Sequence, residues 1–330
     1  MKVTIAVPIY GVEKFIERCA VSLFEQTYKD IEYIFVNDCT KDKSVLILND
    51  VIRRYPERKS QIHIIQHEKN KGLAAARNTA VANATGEFLM HVDSDDYVDK
   101  RIVEEAVKTQ LETNADIISC NAIRLRQGFT EEIRHKEYSS SKENCLAVIS
   151  RDEEVCVWGR LIKTSLYKDN EIRAEQGINM AEDYQVTGRL MFYANKTVVV
   201  NQFLYFYDCT NEGSYSNNFS IEKNRQSWRS FDIVKDFFHD KGKEYVDATY
   251  RGEINIIVSH LIMSGKISNG RYYYEEARNR LKLIERKYWK CVPLERRIVL
   301  YLSSNFFIMR LYTQLSRYIK YLFKSKLKER

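Results

Sequence analysis

Proline and glycine are scarce in this sequence: its 330 residues include three prolines and twelve glycines, which argues against long linkers and low-complexity segments. The seven cysteines are scattered and never spaced as C-x-x-C, so we expect reduced thiols in a cytosolic compartment rather than disulfides or a zinc site. No apolar run approaches the roughly 18–20 residues of a membrane-spanning helix. A strand pattern that begins at Val3 leaves no room for a signal peptide.

The first 125 residues alternate β-branched runs with segments of helical periodicity. Strands are predicted at Val3–Pro8, Ile31–Val36, Ile62–Gln66, Glu87–Val92 and Asp116–Cys120. Helices are predicted to begin near Glu13, Lys43, Gly72 and Asp99. Strands and helices that alternate in this way form right-handed βαβ units. The predicted fold class is therefore α/β, a doubly wound, Rossmann-like domain with a mainly parallel sheet.

After residue 125 the predicted strands and helices no longer alternate regularly. Later predicted elements are a hairpin in Arg126–Tyr138, strands at Val155–Ile162 and Lys196–Tyr207, and a helix near Asp183–Tyr193. From Ile221 the pattern is helical to the end, and the turn-forming stretch Asn211–Asn218 precedes it. The predicted organisation is a domain over residues 1–220, with a nucleotide-binding half at 1–125 and an acceptor-side half at 126–220, followed by a helical region at 221–330.

Three carboxylates, Asp93, Asp95 and Asp96, follow the strand predicted at Glu87–Val92. Open α/β sheets bind ligands at the carboxyl ends of their strands. Clustered carboxylates attract a hard divalent cation that can bridge phosphate oxygens. A D-x-D triplet also arises by chance in surface turns, but its position after a predicted strand favours a site for a metal ion and a nucleotide.

Asp38 and Arg77 each have two interpretations. Asp38 ends the second predicted strand and could accept a hydrogen bond from a nucleobase imide or a ribose hydroxyl. An Asx turn or a helix N-cap is the more frequent role of such a residue taken alone. Arg77 lies in a segment that opens with Gly72 and small residues, and it could reach a diphosphate or a base. The small residues could equally serve close packing on the sheet, and the two interpretations are compatible.

Glu182, Asp183 and Trp158 are also open to two interpretations. The two carboxylates begin a helical segment, where negative charge suits the helix dipole. Alternatively, one of them is a general base for an attacking hydroxyl, and their spacing does not choose between these roles. Trp158 is typical of a packed aromatic residue, although an indole face also suits a sugar ring.

Several short motifs occur in a fixed order. They are Val7-Pro8-Ile9-Tyr10 with Glu13, Ser22–Tyr28, Val36-Asn37-Asp38, Asn70–Leu73, Ala76-Arg77-Asn78, Gly86-Glu87-Phe88, Val92–Asp96, Trp158 with Leu161, Glu182-Asp183, and Gly213-Ser214 with Ser216. In order and spacing they closely resemble the family-2 nucleotide-sugar glycosyltransferases of the GT-A fold, over about residues 1–216. Two positions depart from the family pattern: Gly11, where Asn is frequent, and Cys39, where Gly or a small residue is usual. Neither position carries chemistry in the family, so both bear on loop shape.

The resemblance implies a GT-A-type fold and inverting transfer from a UDP-sugar to a glycan or lipid-linked saccharide, in bacterial capsule, lipopolysaccharide or other cell-surface polysaccharide synthesis. The residues it assigns to the nucleotide-sugar are Pro8, Tyr10, Glu13, Asp38, Arg77, Asp93 and Ser94. It assigns Asp95 to Mn²⁺ or Mg²⁺, with Asp93 binding ribose or a metal-linked water. Asp183 would be the general base, Glu182 the alternative base, and Trp158 a contact to the acceptor or sugar.

Two other functions are alternatives to glycosyl transfer. A nucleotidyltransferase would need a glycine-rich loop with a basic residue directly after the first strand, but Val7–Lys14 contains only Gly11. A non-catalytic sugar-binding or scaffold protein would not need the retained carboxylates Asp38, Asp93, Asp95 and Asp183. The net charge is +7, but no nucleic-acid motif accompanies the basic residues, so nucleic acid is not an expected partner.

The basic excess is concentrated at the carboxyl end, from Arg310 onward. On a helical wheel one side carries Leu311, Leu315, Tyr318 and Leu322, flanked by Ile308, Tyr312 and Ile319. The opposite side carries Arg310, Arg317, Lys320, Lys324 and Lys328. This pattern predicts that residues 305–330 lie on an anionic bilayer, with Phe306 and Phe307 at the interface, at the cytoplasmic face of the membrane. The alternative is a terminal helix that packs its apolar stripe on the protein. Oligomer formation is compatible with the sequence.

Overall fold

The computed structural model describes residues 1–211, 213, 220–267 and 270–315. The chain divides into two compact units, one of residues 1–148 and 153–234, the other of residues 149–152 and 235–330. Ser214 and Ser216 of the last family motif lie outside the described residues, as does the predicted tail beyond Leu315. The tail positions concerned are Arg317, Tyr318, Ile319, Lys320, Leu322, Lys324 and Lys328. The domain boundary near residue 220 stays a prediction.

The first unit is built from strands and helices that alternate along its amino-terminal half. Its strands are β1 (Val3–Ile9), β2 (Ile31–Asn37), β3 (Ile62–Gln66), β4 (Phe88–His91), β5 (Tyr97–Val98), β6 (Ile117–Arg126), β7 (Phe129–Ile133), β8 (Arg160–Lys163) and β9 (Thr197–Asp208). Its helices are α1 (Ile16–Phe24), α2 (Ser44–Arg54), α3 (Leu73–Asn83), α4 (Ile102–Thr113), α5 (Ser141–Ile149), α6 (Thr164–Asp169) and α7 (Glu182–Tyr193). A short 3-10 helix at Pro56–Gln61 leads into β3.

The strands of the first unit form one sheet in the order β3-β2-β1-β4-β8-β6-β9-β5, and β7 pairs with β6. The first four strands are parallel, β8 is antiparallel to both of its neighbours, and β6 is parallel to β9. Every residue of β1 and β2 is buried, as expected for parallel strands covered on both faces. The predicted α/β class with its Rossmann-like parallel half is confirmed.

The prediction was less accurate between residues 126 and 170. The hairpin forms, but it starts within the long strand β6 and turns at Gly128, which has a φ of +82°. The strand predicted from Val155 begins only at Arg160, because Gly159 has a φ of +67° and interrupts extended backbone. The short helices α5 and α6 were not predicted, since segments of six to nine residues carry little periodic signal.

Both departures from the family pattern fall at positions of left-handed backbone. Gly11 has a φ of +69° and Cys39 a φ of +58°. Gly and Asn are the residues that adopt this conformation most readily. Gly11 can therefore take the same left-handed backbone as the Asn that is frequent at this position in the family. Cys39 adopts it with a side chain, whose thiol donates to the carbonyl of Glu68 at 3.8 Å. Neither departure places a new charged group in the loops that follow β1 and β2.

The described part of the second unit, up to Leu315, is mainly helical, as predicted. Helix α8 (Ile221–Phe238) starts in the first unit and is followed by α9 (Lys243–Ser264), α10 (Gly270–Lys282), a 3-10 helix (Arg286–Cys291) and α11 (Leu294–Leu302). A further helix occupies residues 306–315. The buried Glu253 of α9 forms ion pairs with Lys235 and Arg280. Within the described ranges, every helix is too short or too polar to cross a membrane.

Candidate functional site

A cavity of about 300 Å³ lies where β1, β2 and β4 end at their carboxyl termini. Six of the residues predicted to contact the nucleotide-sugar or metal line it: Pro8, Tyr10, Asp38, Asp93, Ser94 and Asp95. Glu13 and Arg77 are not among its lining residues. The parallel half of the sheet therefore brings together residues from three separate strand ends, at the edge where α/β proteins bind ligands.

The turn after β4 is held in shape by Asp96. The Asp96 N–H donates to the carbonyl of Asp93 at 3.0 Å. The Asp96 carboxylate is fully buried and accepts hydrogen bonds from the Tyr205 hydroxyl and the Asp208 N–H, both at 2.7 Å. Tyr205 also accepts a hydrogen bond from the Asp93 N–H at 3.1 Å. Asp96 is thus a structural member of the acidic turn, whereas Asp93 and Asp95 face the cavity.

Asp95 is the acid of this turn with the clearest capacity for a cation. Its Oδ2 accepts a hydrogen bond from Asn211 Nδ2 at 2.9 Å, and Arg18 donates to its carbonyl oxygen at 2.9 Å. Burial, reinforced by the negative charge of Asp93, raises the pKa of Asp95 to about 6. A bound cation would stabilise the charged form of this carboxylate beyond what the Asn211 hydrogen bond provides.

Arg77 lies between two carboxylates. One of its Nη atoms donates to Asp93 Oδ1 at 2.5 Å and the other to Glu182 Oε1. Burial opposes the charge of Arg77, but Asp93 and Glu182 outweigh it and raise the pKa of the guanidinium. These two contacts connect the acidic turn after β4 to the first turn of α7. The predicted reach of Arg77 to a diphosphate or base stays a prediction.

The first turn of α7 carries both candidate bases in different surroundings. Glu182 is buried and bound to Arg77, whereas Asp183 is half-buried and its Oδ1 accepts a hydrogen bond from the Tyr184 N–H at 2.8 Å. Burial raises the pKa of Glu182, and the positive charge of Arg77 counters that effect. Both carboxylates line a narrow cleft with Arg77, next to the acidic turn.

Asp38 anchors the loop before α3. Its carboxylate accepts hydrogen bonds from the backbone N–H groups of Lys71 and Gly72, at 2.8 and 2.7 Å, and contacts His67 Nδ1 at 2.7 Å. The turn leading into α2, for which Asp38 was a candidate cap, is held by Asp42 instead. One carboxylate oxygen can accept two hydrogen bonds, so Asp38 Oδ2 can accept another from a ligand.

Glu13 and Trp158 have structural contacts. Glu13 accepts a hydrogen bond from the Lys43 N–H at 3.0 Å and so links the loop after β1 to the start of α2. Trp158 is 6% exposed, and its ring stacks on that of Tyr205 with centroids 4.5 Å apart. Packing accounts for this tryptophan. Its role as an acceptor or sugar contact stays a prediction, as does the role of Glu13 in binding the nucleotide.

Sequence analysis missed several residues that shape the site. Asn179 lies before α7, and its Oδ1 accepts a hydrogen bond from the Ala74 N–H at 3.1 Å. Asn211, treated as part of a boundary turn, contacts Asp95. Tyr205 was recognised only as part of a strand. The family motif that starts at Gly213 was the available signal for Asn211, because it places that turn among the recurring segments of the resemblance.

Gly72 provides the first test of this geometry. Its φ of +87° and ψ of 168° belong to a region that only glycine occupies readily, and a Cβ would overlap the Asn179 amide. We expect Gly72→Ala to weaken UDP binding at least tenfold, because the loop that contacts Asp38 must shift. Isothermal titration with UDP measures this effect.

Gly128→Ala is the matched control for Gly72→Ala. Gly128 also has a positive φ, but a Cβ there meets open space in the β6–β7 hairpin. Gly128→Ala should lose roughly 1–2 kcal/mol of stability from the backbone conformation. Gly72→Ala should lose at least as much, and it alone should lose UDP affinity. Equal UDP affinity in the two variants would contradict the role given to the loop.

Comparison with known proteins gives a consistent result. A model of glycosyl transferase family 2 matches residues 4–176, more than half of the chain. Glycosyltransferase GlyA of Streptococcus pneumoniae is 30% identical in an alignment of 218 residues that covers 62% of this chain and 30% of GlyA. Uncharacterized glycosyltransferase EpsJ of Bacillus subtilis is 33% identical in an alignment of 216 residues that covers 62% of this chain and 60% of EpsJ. The matched part is thus less than two thirds of either relative.

The solved structures show the same fold. The crystal structure of Staphylococcus aureus TarS residues 1–349 with UDP-GlcNAc superimposes with a TM-score of 0.76 at 21% identity, covering 96% of this chain and 92% of that one. TarS is named a poly(ribitol-phosphate) beta-N-acetylglucosaminyltransferase. At this identity the likeness concerns the fold alone.

Proposed function

This chain belongs to glycosyl transferase family 2, and we propose that it transfers a sugar with inversion from a UDP-sugar to a hydroxyl of a glycan or lipid-linked saccharide in cell-surface polysaccharide synthesis. One observation carries the proposal. The acidic turn with Asp93 and Asp95 lines the same cavity as Asp38 and Tyr10, at the carboxyl ends of parallel strands. A nucleotide and its diphosphate need such a combination of aromatic, hydrogen-bonding and cation-binding groups within one pocket.

The residues around the cavity suit the uridine part of the donor. Tyr10 is 53% exposed at the end of β1, so its ring is available to stack on a base. Asp38 has an acceptor position for the uracil imide N–H beside the Gly72 contact. Pro8 and Ser94 complete the walls near the base and the ribose. We assign the nucleoside to this side of the cavity.

Mn²⁺ or Mg²⁺ fits the carboxylates present. Among the described residues, no group of three or more His, Cys, Asp and Glu side chains surrounds a metal position. Such a cluster is not required, because Mg²⁺ at a nucleotide usually takes one or two carboxylates together with phosphate oxygens. Asp95 would hold the ion, with Asp93 close by or linked through water. When bound, the ion would neutralise charge on the departing UDP.

The protein groups contribute binding, orientation and proton transfer. Arg77 fixes Asp93 against Glu182 and so sets the donor-binding turn relative to the start of α7. We propose that Asp183 accepts the proton of the acceptor hydroxyl as it attacks the anomeric carbon. Glu182, the alternative base, is buried and bound to Arg77, whereas Asp183 is half-buried. The Asp96–Tyr205 contact keeps the turn rigid, which reduces the cost of orienting the donor.

We further propose that the enzyme works at the inner face of the cytoplasmic membrane on a lipid-linked acceptor. The support is the basic sequence after Arg310, predicted to lie on anionic lipid through residues 305–330.

Asp95→Ala should abolish metal-dependent UDP binding. Removing an anionic oxygen ligand leaves the diphosphate without a bound countercharge. Isothermal titration with UDP, with and without Mn²⁺, measures this directly, and Asp93→Ala should give a smaller loss. Asp50→Ala is the charge-matched control, because it removes an exposed acid from α2.

Unchanged UDP–Mn²⁺ affinity in Asp95→Ala would refute the metal assignment. Release of UDP from a panel of UDP-sugars, scored with Mn²⁺ and a saccharide acceptor, tests the function itself. Binding of UDP without any turnover across that panel would support a non-catalytic protein instead.

A further inference from the structure

The helix at residues 306–315 is fixed to the second unit by one side. Met309 and Thr313 are buried there, and Phe306 contacts the ring of Tyr274 with centroids 5.2 Å apart. Gly265 at the end of α9 lies so close to Thr313 that a Cβ would collide with it. So short a distance is possible because Gly265 has no side chain and Thr313 has a small one. The contact therefore places the Thr313 side of this helix against the end of α9.

The outward side of this helix is apolar. Four large side chains there are between 44% and 73% exposed: Phe307, Ile308, Leu311 and Leu315. At 100° per residue they fall within an arc of about 100°. A surface helix of a globular protein normally turns its polar side to solvent. Residues 306–315 instead expose four apolar side chains, so Leu311 and Leu315 do not pack on the described part of the protein.

Helix α11 repeats the pattern directly before it. Val299 and Leu300 are buried, whereas three residues at helical spacing are 44% to 67% exposed: Leu294, Ile298 and Tyr301. We call these three residues together with Phe307, Ile308, Leu311 and Leu315 the outer face. Contiguous exposed apolar residues, such as the four on one side of residues 306–315, usually mark a surface for a partner or a membrane.

The charge near the outer face indicates which partner it suits. Arg310 on the helix at residues 306–315 is exposed. The sequence from residue 316 to 330 adds six Lys and Arg residues against one Glu. An anionic surface complements this charge, whereas a second copy of the chain would bring like charges together. Tyr301 and Phe307 also suit the boundary between headgroups and acyl chains.

We propose that the outer face docks the second unit on an anionic lipid bilayer. The leucine and isoleucine side chains enter the headgroup–acyl boundary, and the basic residues contact the headgroups. The proposal rests on the membrane position proposed above. It identifies the surface of the protein that docks there and adds α11 to that surface. Because the surface belongs to the second unit, its loss should leave UDP binding unchanged.

Vesicle co-sedimentation of the full chain tests the proposal. The parent protein should bind phosphatidylcholine vesicles that contain phosphatidylglycerol but not pure phosphatidylcholine vesicles, and high salt should weaken the binding. The double variant Phe307→Ser/Leu311→Ser should lower the partition coefficient on the anionic vesicles at least tenfold. Its UDP affinity and melting temperature should equal those of the parent protein.

The matched control is Leu46→Ser/Leu111→Ser. These leucines are 63% and 71% exposed on α2 and α4 of the first unit, so the control removes similar apolar surface away from the outer face. It should bind anionic vesicles like the parent protein. The proposal would be overturned if both double variants lost vesicle binding equally. It would also be overturned if the parent protein did not bind anionic vesicles. A parent dimer that Phe307→Ser/Leu311→Ser converts to monomer, without vesicle binding, would assign the face to a second copy instead.

Discussion

Asp183→Asn is expected to lower kcat by about 10²–10⁴-fold, the usual contribution of a general base, while donor affinity stays nearly unchanged. Asparagine is almost isosteric with aspartate, and its Oδ1 can still accept the hydrogen bond from the Tyr184 N–H. The amide cannot take a proton from the acceptor hydroxyl at neutral pH. Steady-state UDP release gives kcat, and titration with UDP gives the donor affinity.

Glu182→Gln separates the two candidate bases. Because Glu182 is bound to Arg77, its substitution should change the melting temperature and the UDP affinity as well as the rate. Asp183→Asn should change the rate alone. Full turnover in Asp183→Asn, with a loss of kcat only in Glu182→Gln, would transfer the base role to Glu182.

Arg77→Met is expected to give the largest loss of stability. It leaves the Asp93 and Glu182 carboxylates without their shared cation, and removing one partner of a buried ion pair costs about 3–5 kcal/mol. For a domain of this size that corresponds to a fall in melting temperature of roughly 6–20 °C. Thermal unfolding followed by circular dichroism measures this shift.

Two further variants identify the cause of that loss. Arg54→Met removes an exposed ion pair with Glu17 and should cost no more than about 1 kcal/mol. Adding Glu182→Gln to Arg77→Met removes one of the uncompensated charges and should restore part of the stability. If the stability losses of Arg77→Met and Glu182→Gln simply add in the double variant, the two side chains are not directly coupled.

The fold was predictable where periodic signals were long. Strands β1 and β2 are uninterrupted apolar runs, and α7 was placed to within one residue at its start. The two-residue strand β5 could not be predicted, because its extended conformation comes from pairing with β9 and not from its own composition. The same holds for α6, whose six residues form little more than one helical turn.

The candidate site was predictable in its acids but not in their partners. Asp38 and Asp93 were identified because each ends a recognisable strand. The contact of Arg77 with Glu182, which lies 105 residues further along the chain, was not predicted. The contact of Asn211 with Asp95 was likewise not predicted, because 116 residues separate the two. Single-sequence patterns report local conformation, whereas these contacts depend on how distant elements meet in the folded sheet.

The contact between Tyr205 and the acidic turn has a consequence for the order of events during synthesis. Asp93 and Asp96 leave the ribosome more than a hundred residues before the tyrosine and the Asp208 N–H that hold their turn. A nascent chain that ends before β9 can already pair its first four strands, but it has no support for the turn. The binding pocket can therefore form only late in translation, although its acidic residues are synthesised early.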